Sequence, residues 1–328
     1  MIVVTGGAGF IGSNILAGLE ARGHDDLVVV DTLGTDDKWR NIAKRALADV
    51  VRPERIFDFL NARAGEIEAV VHMGAISSTE ERDADVIVAN NIRLTLDLVD
   101  WCARHGVRLI YASSAATYGD GALGFDDDGE AGALAGLQPL NAYGWSKHMV
   151  DRRITALRAR GAALPPQWAG LKFFNVYGPN EYHKGGQRSV AHQVFCRIRD
   201  GGHARLFRSH RPDYPHGGQL RDFVWVGDCV AVVEWLLETP EASGLFNVGS
   251  GKARSFADLA RAVYAAMNLK PEIEFVDMPE HLREKYQYFT EAKIGRLRAA
   301  GFTRPTTELE DGIASYVRDY LLNADPYV

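Results

Sequence analysis

Cysteine is scarce: three residues, Cys102, Cys196 and Cys229, in a chain of 328. They lie far apart, form no CxxC pair and have no metal-ligand spacing. A disulfide framework and a zinc module are thereby excluded, and a reducing compartment is expected. Basic charge is not in excess either. Lysine and arginine number 37 against 43 aspartates and glutamates, a formal net charge of −6. With no basic stripe, a nucleic-acid partner is not expected. No apolar run reaches the roughly 18 residues that a membrane span needs. Met1 leads straight into a strand-like run, so no secretory leader is expected. The ten histidines include no HExxH and no i,i+4 pair. His203, His210 and His216 fall in a Gly/Arg/Pro-rich stretch, and no metal site is expected. Hydrophobic residues make up 46% of the chain, enough for a large core and one to two domains. Together these features describe a soluble cytoplasmic protein.

What is present begins at the first residues. Ile2-Val3-Val4-Thr5 runs directly into Gly6-Gly7-Ala8-Gly9-Phe10-Ile11-Gly12, which opens the apolar stretch Ile11 to Leu19. Strand, glycine-rich turn and helix start come in the order a dinucleotide site needs. Gly6 and Gly7 permit a tight turn, Gly9 lets backbone amides approach a pyrophosphate, and Gly12 lets the helix pack closely on the strand. A second apolar strand, Leu27 to Val30, ends in Asp31, 19 residues after Gly12. That spacing suits an acid contacting a ribose.

Strand-like and helical runs then alternate. Strands are expected near 2–5, 27–31, 68–73, 107–112 and 170–175, and helices near 11–22, 53–64, 85–105 and 142–160. Continuous apolar strands separated by amphipathic helices imply an α/β fold, a doubly wound parallel sheet covered on both faces. The stretch 120–138, with five glycines and Asp126-Asp127-Asp128, reads as a solvated surface loop. From 179 to 220 the pattern is irregular, as expected of a smaller, mixed substrate-binding lobe. Arg221 to Val226 reads as a strand returning to the nucleotide domain, followed by helices near 255–268 and 308–321. The expected domains are therefore 1–174 plus about 221–248 for the dinucleotide, and about 175–220 plus 249–328 for the substrate. Trp235, Phe173 and Phe174 are expected to be packing residues.

Tyr143 and Lys147 are four residues apart in a helical pattern, which puts them on one face. A free tyrosine, with a pKa near ~10, is a poor base at neutral pH, and a nearby ammonium favours its phenolate. Ser113-Ser114 ends the strand about 30 residues upstream, where ligands of parallel sheets sit. A serine hydroxyl there can hold an alcohol or carbonyl oxygen. The set Ser114, Tyr143 and Lys147 describes hydride transfer at a secondary alcohol, with a nicotinamide carrying the redox chemistry. A non-catalytic nucleotide-binding regulator has no need of all three.

These motifs resemble the extended short-chain dehydrogenase/reductase superfamily, with its Rossmann nucleotide domain. Within it, the chain looks like the family of ADP-heptose 6-epimerases. The resemblance rests on Thr5 to Asn14, Tyr111 to Gly119, Asn175-Val176-Tyr177-Gly178-Pro179 with His183-Lys184-Gly185, Arg221 to Val224, and Tyr286 to Thr290. It implies inversion at C6 of the heptose in an ADP-heptose substrate, for lipopolysaccharide core assembly, by oxidation to a 6-keto sugar and hydride return to the other face. Tyr143 would serve one face and Lys184 the other, although a solvated loop lysine or a phosphate contact are other readings of Lys184. Implied cofactor contacts are Gly6, Gly9, Phe10, Ile11, Gly12, Asp31, Thr32, Lys38, Met73, Gly74, Ala75, Ile76, Ser77, Asn90, Tyr143, Lys147, Val176 and Lys184. Implied substrate contacts are Ser114, Asn175, Gly186, Gln193, Phe207, Arg208, Ser209, His210, Arg221 and Tyr286, with Arg221 suited to a diphosphate. Family likeness points to NADP and a homopentamer. Asp31 favours NAD, whereas Lys38 and Arg40 suit a 2′-phosphate; Pro53 stands where the family carries a second lysine, next to Arg52. Ala115 and Ala116 follow the strand serine where a 4,6-dehydratase needs an acid/base pair, which disfavours elimination. A UDP-hexose 4-epimerase remains the nearest alternative.

Overall fold

The computed structural model describes residues 1–283 and 286–328. The strands in chain order are β1 (Ile2–Thr5), β2 (Leu27–Val30), β3 (Asp49–Val51), β4 (Ala69–His72), β5 (Arg108–Ser114) and β6 (Trp168–Phe173). They continue as β7 (Asn175–Tyr177), β8 (Ala204–Phe207), β9 (Leu220–Trp225), β10 (Gly244–Val248), β11 (Ala253–Ser255) and β12 (Ile273–Val276). Seven of them form one parallel sheet in the order β10-β6-β5-β4-β1-β2-β3. Apolar residues on both faces explain this sheet. Ile2 and Val4 enter one core, with the helices Phe10–Ala21 and Val226–Glu238. Val3, Val28 and Val70 enter the opposite core, with Trp101, Val150 and Ile154. Such strands exist only where helices cover both sides. Strand order reverses between β1 and β4, so the crevice beyond their carboxyl ends is the expected ligand position.

A smaller lobe holds a three-stranded sheet, β11-β9-β7, and a parallel pair, β12-β8. Its own core joins Tyr177, Phe195, Phe223, Tyr264, Ile313 and Tyr316. Here the expectation for Arg221 to Val226 fails. These residues fall largely in β9, which pairs with β7 and β11, while the strand that rejoins the main sheet is β10. An apolar run marks a buried strand but not its sheet.

The stretch 120–138 also departs from a solvated loop. It contains a short helix, Ala131–Gly136, and buries Phe125 and Asp127. The Asp127 carboxylate accepts the Asn247 backbone N–H at 2.7 Å. Burial pushes its pKa up from 3.8 to about 6, against that hydrogen bond and the Arg296 charge.

Candidate active site

The glycine turn is tight because nothing larger fits. Gly6 has φ +64°, and a Cβ there would lie 2.6 Å from the Gly74 nitrogen. A Cβ on Gly12 would lie 2.2 Å from the Gly6 carbonyl oxygen. Gly9 is the residue that caps helix Phe10–Ala21, and no side chain occupies that cap. Open backbone N–H groups at the positive helix end therefore face a cavity of about 960 Å³, lined here by Gly6, Gly9, Phe10, Ile11 and Gly12. This is the cradle a dinucleotide pyrophosphate requires.

Asp31 and Lys38 line the same cavity and are paired with one another. Lys38 Nζ lies 2.7 Å from Asp31 Oδ1 and also donates to the Thr32 carbonyl at 3.0 Å. Asp31 further accepts the N–H groups of Ala8 at 2.9 Å and Thr32 at 2.7 Å. Thr32 itself is exposed and contributes backbone rather than cavity wall. Arg40 is turned away, its guanidinium 4.7 Å from the Tyr327 ring centroid. Nearby, burial lowers the pKa of His183, with help from the charges of Lys38 and Lys184 and against that of Asp31.

A buried polar chain holds the floor. Gly74 N–H donates to Thr5 Oγ1 (3.1 Å), Thr5 Oγ1 lies 2.6 Å from His72 Nδ1, and His72 Nε2 lies 2.9 Å from Thr95 Oγ1. Thr95 donates on to the Asn91 carbonyl at 2.7 Å. The chain is consistent when His72 is neutral with its proton on Nε2. Burial agrees, lowering the His72 pKa to about 3 with help from Lys147. Met73, Gly74, Ala75 and Ser77 line the cavity above this floor, whereas Ile76 stands behind them. Asn91 clamps Ile76 through both its N–H (2.9 Å) and its carbonyl (3.0 Å), and reaches Ser146 at 3.0 Å. The neighbouring Asn90 is exposed, donates to the Val86 carbonyl and does not line the cavity. Asn91 is fully buried and supports the wall from behind through Ile76.

Ser114, Tyr143 and Lys147 meet at the cavity wall. Asn141 caps helix Ala142–Ala159, so Tyr143 enters the first turn and Lys147 follows one turn on. Burial pushes the Tyr143 phenol up, opposed by a hydrogen bond with Ser114. Burial lowers the Lys147 pKa to about 8, opposed by Asp151. Burial thus works against the phenolate that a nearby ammonium was expected to favour. Behind the pair, Lys172 Nζ lies 2.6 Å from Asp151 Oδ2 in a fully buried ion pair. Tyr111 and Ser113 donate to the same carboxylate at 3.0 and 2.8 Å, tying β5 to the Tyr143 helix.

Lys184 enters from the opposite lobe, its Nζ 5.4 Å from the Phe10 ring centroid. Asn175, Val176 and Gly186 line the cavity beside it, as do Phe173, Phe174, Phe223, Phe256 and Leu259. Phe173 and Phe174 both pack and line the cavity. The remaining expected substrate residues stand outside this wall. The Arg221 guanidinium lies between Phe256 and Tyr286, 5.6 and 5.2 Å from their ring centroids, and Phe207 meets Tyr286 edge-on. Arg221 therefore adjoins the cavity through Phe256. Gln193 donates to the Arg188 carbonyl, Arg208 pairs with Asp277, Ser209 N–H donates to His216, and His210 N–H donates to Tyr288. Among the described residues no cluster could hold a metal and no helix is long and apolar enough to cross a membrane.

Residues 2–249 match the model of the NAD dependent epimerase/dehydratase family. A relative from Nitratidesulfovibrio vulgaris is 51% identical over the whole of both chains and bears the name ADP-L-glycero-D-manno-heptose-6-epimerase. The chain belongs to the ADP-L-glycero-D-manno-heptose-6-epimerase family. A solved heptose-6-epimerase from Helicobacter pylori shares the fold, with TM-score 0.78 and 24% identity over 97% of this chain and 95% of that one. The UDP-glucose 4-epimerase of Thermus thermophilus, solved with NAD, has TM-score 0.74 and 27% identity, over 96% and 97% of the two chains. The cofactor class of this epimerase is accordingly nicotinamide, and the unfilled cap at Gly9 and the cradle between Gly6 and Gly12 fit its pyrophosphate.

Proposed function

We propose that this epimerase inverts C6 of the heptose in ADP-D-glycero-β-D-manno-heptose, giving the L-glycero epimer through a transient 6-keto sugar. The observation that carries this reading is the placement of two proton-transfer groups on different lobes around one cavity: Tyr143 beside Ser114, and Lys184 over Phe10. Inversion through a planar ketone needs proton donors toward both faces of the carbon. A nicotinamide bound against the glycine turn would supply reversible two-electron oxidation of the alcohol and, when oxidised, a positive charge. The residues do the rest. Ser114 holds the C6 oxygen, and Tyr143 takes and returns its proton for one epimer. Lys147 anchors the cofactor ribose and keeps positive charge near the phenol. Lys184 does the proton work for the other epimer.

NADP is the proposed cofactor form. Lys38 neutralises Asp31, the acid that would otherwise repel a 2′-phosphate, and its ammonium lines the cavity where it can donate to that phosphate. The likeness to the UDP-glucose 4-epimerase supports one competing substrate class, which needs only the Ser/Tyr/Lys set. Incubation with a panel of ADP-, UDP- and GDP-sugars, followed by NMR, decides. Inversion of the ADP-heptose at C6 is expected; turnover of a UDP-hexose at C4 instead would overturn the assignment.

A further inference from the structure

The loop that carries Lys184 is closed at its neck by a buried acid. Glu181 precedes the loop and Ser189 ends it, and the Glu181 side chain is fully buried. Its Oε1 accepts the Ser189 hydroxyl at 2.7 Å and the Tyr316 phenol at 2.8 Å, and its Oε2 accepts the Ser189 N–H. Burial raises the Glu181 pKa, and the two Ser189 hydrogen bonds, the Tyr316 hydrogen bond and the Lys184 charge oppose that rise by favouring the carboxylate. One side chain thus ties together three pieces: the start of the loop, the start of helix Val190–Arg199 that Ser189 caps, and the C-terminal segment bearing Tyr316. Inside the neck the backbone is preshaped. Gly185 turns with φ +55°, and its carbonyl accepts from Arg188 Nε at 2.7 Å. Gln193 in turn donates to the Arg188 carbonyl at 2.7 Å.

The charges around Lys184 come from several elements. His183 is its chain neighbour, and Arg188 lies on the return of the loop. Lys38 and Asp31 lie on the segment after β2, and Lys147 and Tyr143 on the facing wall of the cavity. Asp31 is already bound to Lys38. Glu80 also lines the cavity, but Glu181 is the acid whose charge opposes the burial of the Lys184 ammonium. Glu181 is fully buried and Lys184 half-buried, so solvent screens their interaction less than it would at the surface.

We propose that Glu181 is a positioning residue of the epimerase reaction: its carboxylate closes the neck of the Lys184 loop and supplies the negative charge that Lys184 faces. The proposal rests on the reading of Lys184 as the second proton-transfer group.

The test is the pH dependence of kcat and kcat/KM for epimerisation by the full chain, in wild type and the variants Lys184→Met, Glu181→Gln and Ser189→Ala. Lys184→Met should lose at least about a hundredfold in kcat and remove one limb of the pH profile. Glu181→Gln should lower kcat about tenfold or more with KM little changed, and move that same limb to lower pH, because an opposite charge has gone. Ser189→Ala opens the neck but keeps the charge, so kcat should fall with the limb unmoved. An active Lys184→Met overturns the two-base reading and this proposal with it. An inactive Lys184→Met beside a Glu181→Gln variant whose limb stays at the wild-type pH overturns the role of Glu181 alone. Should Glu181→Gln fail to fold, Glu181→Asp carries the test: its shorter carboxylate keeps the charge but cannot span Ser189 and Tyr316. Reduced kcat with an unmoved limb then supports the proposal, and wild-type kcat overturns it.

Discussion

Tyr143 stands between opposing influences. Burial raises its phenol, and the Ser114 hydrogen bond opposes it, while Lys147 beside it is itself only weakly held as an ammonium, at about 8. The base is therefore incomplete until a ligand brings positive charge to the site. Tyr143→Phe should lower kcat by about 10²–10⁴-fold while leaving cofactor affinity within a few-fold, because it removes a proton-transfer group and little binding surface. Steady-state rates with calorimetric cofactor binding check both parts. Lys38→Ala leaves the Asp31 carboxylate without its partner. NADP affinity should fall by about tenfold to a hundredfold, the worth of a charge-assisted hydrogen bond, and NAD affinity should hold or improve. Equal losses for both would show that Lys38 does not read the 2′ position. At this scale Ser114, Tyr143 and Lys147 were legible because a helical turn and a strand end are local. His72, Asn91 and Glu181 were not, because their roles come from burial and partners distant in sequence.

Among the elements, the glycine turn was the most legible, since each constraint on it acts within a few residues. Gly12→Ala would drive a methyl group to 2.2 Å from the Gly6 carbonyl. That turn should open, cofactor affinity should fall at least tenfold, and the sheet should remain, which circular dichroism and cofactor titration together would show. Unchanged affinity would mean that the turn does not hold the pyrophosphate. The stretch 120–138 was read less well. Three consecutive aspartates look like a solvated loop, yet Asp127 alternates inward with Phe125 and meets the Asn247 N–H. Its folded pKa, about 6, lies above the ordinary 3.8, so its ionisation costs stability as pH rises from about 4 to about 6. The full cost, roughly 3 kcal/mol, is present at neutral pH. Asp127→Asn keeps the hydrogen-bond acceptor and removes this cost. Its Tm should exceed wild type at pH 7.5, with the gap narrowing toward pH 4; a gap independent of pH would contradict the account. The short strands β3, β7, β8, β10, β11 and β12 escaped the sequence because they lack the unbroken apolar runs and flanking turn signals that mark the equally short β1 and β2.

In the whole molecule, each lobe contributes one wall of a single cavity. The sheet and the helix Ala142–Ala159 packed on it present Ser114, Tyr143 and Lys147, and the smaller lobe presents Lys184, Phe223 and Phe256. The sheet could be read from its apolar runs, whereas the membership of β9 in the smaller lobe could not, because pairing is decided between distant segments. In the proposed reaction the C6 hydrogen moves to the nicotinamide and back as a hydride, so it does not exchange with solvent. That claim is tested most directly by running the epimerisation of ADP-D-glycero-β-D-manno-heptose in D₂O and reading C6 of the product by NMR and mass spectrometry. Oxidation and re-reduction within one closed site predicts full inversion with the original hydrogen retained at C6. Deuterium at C6 in step with turnover would mean that inversion proceeds by removing a proton from carbon, and would contradict the account.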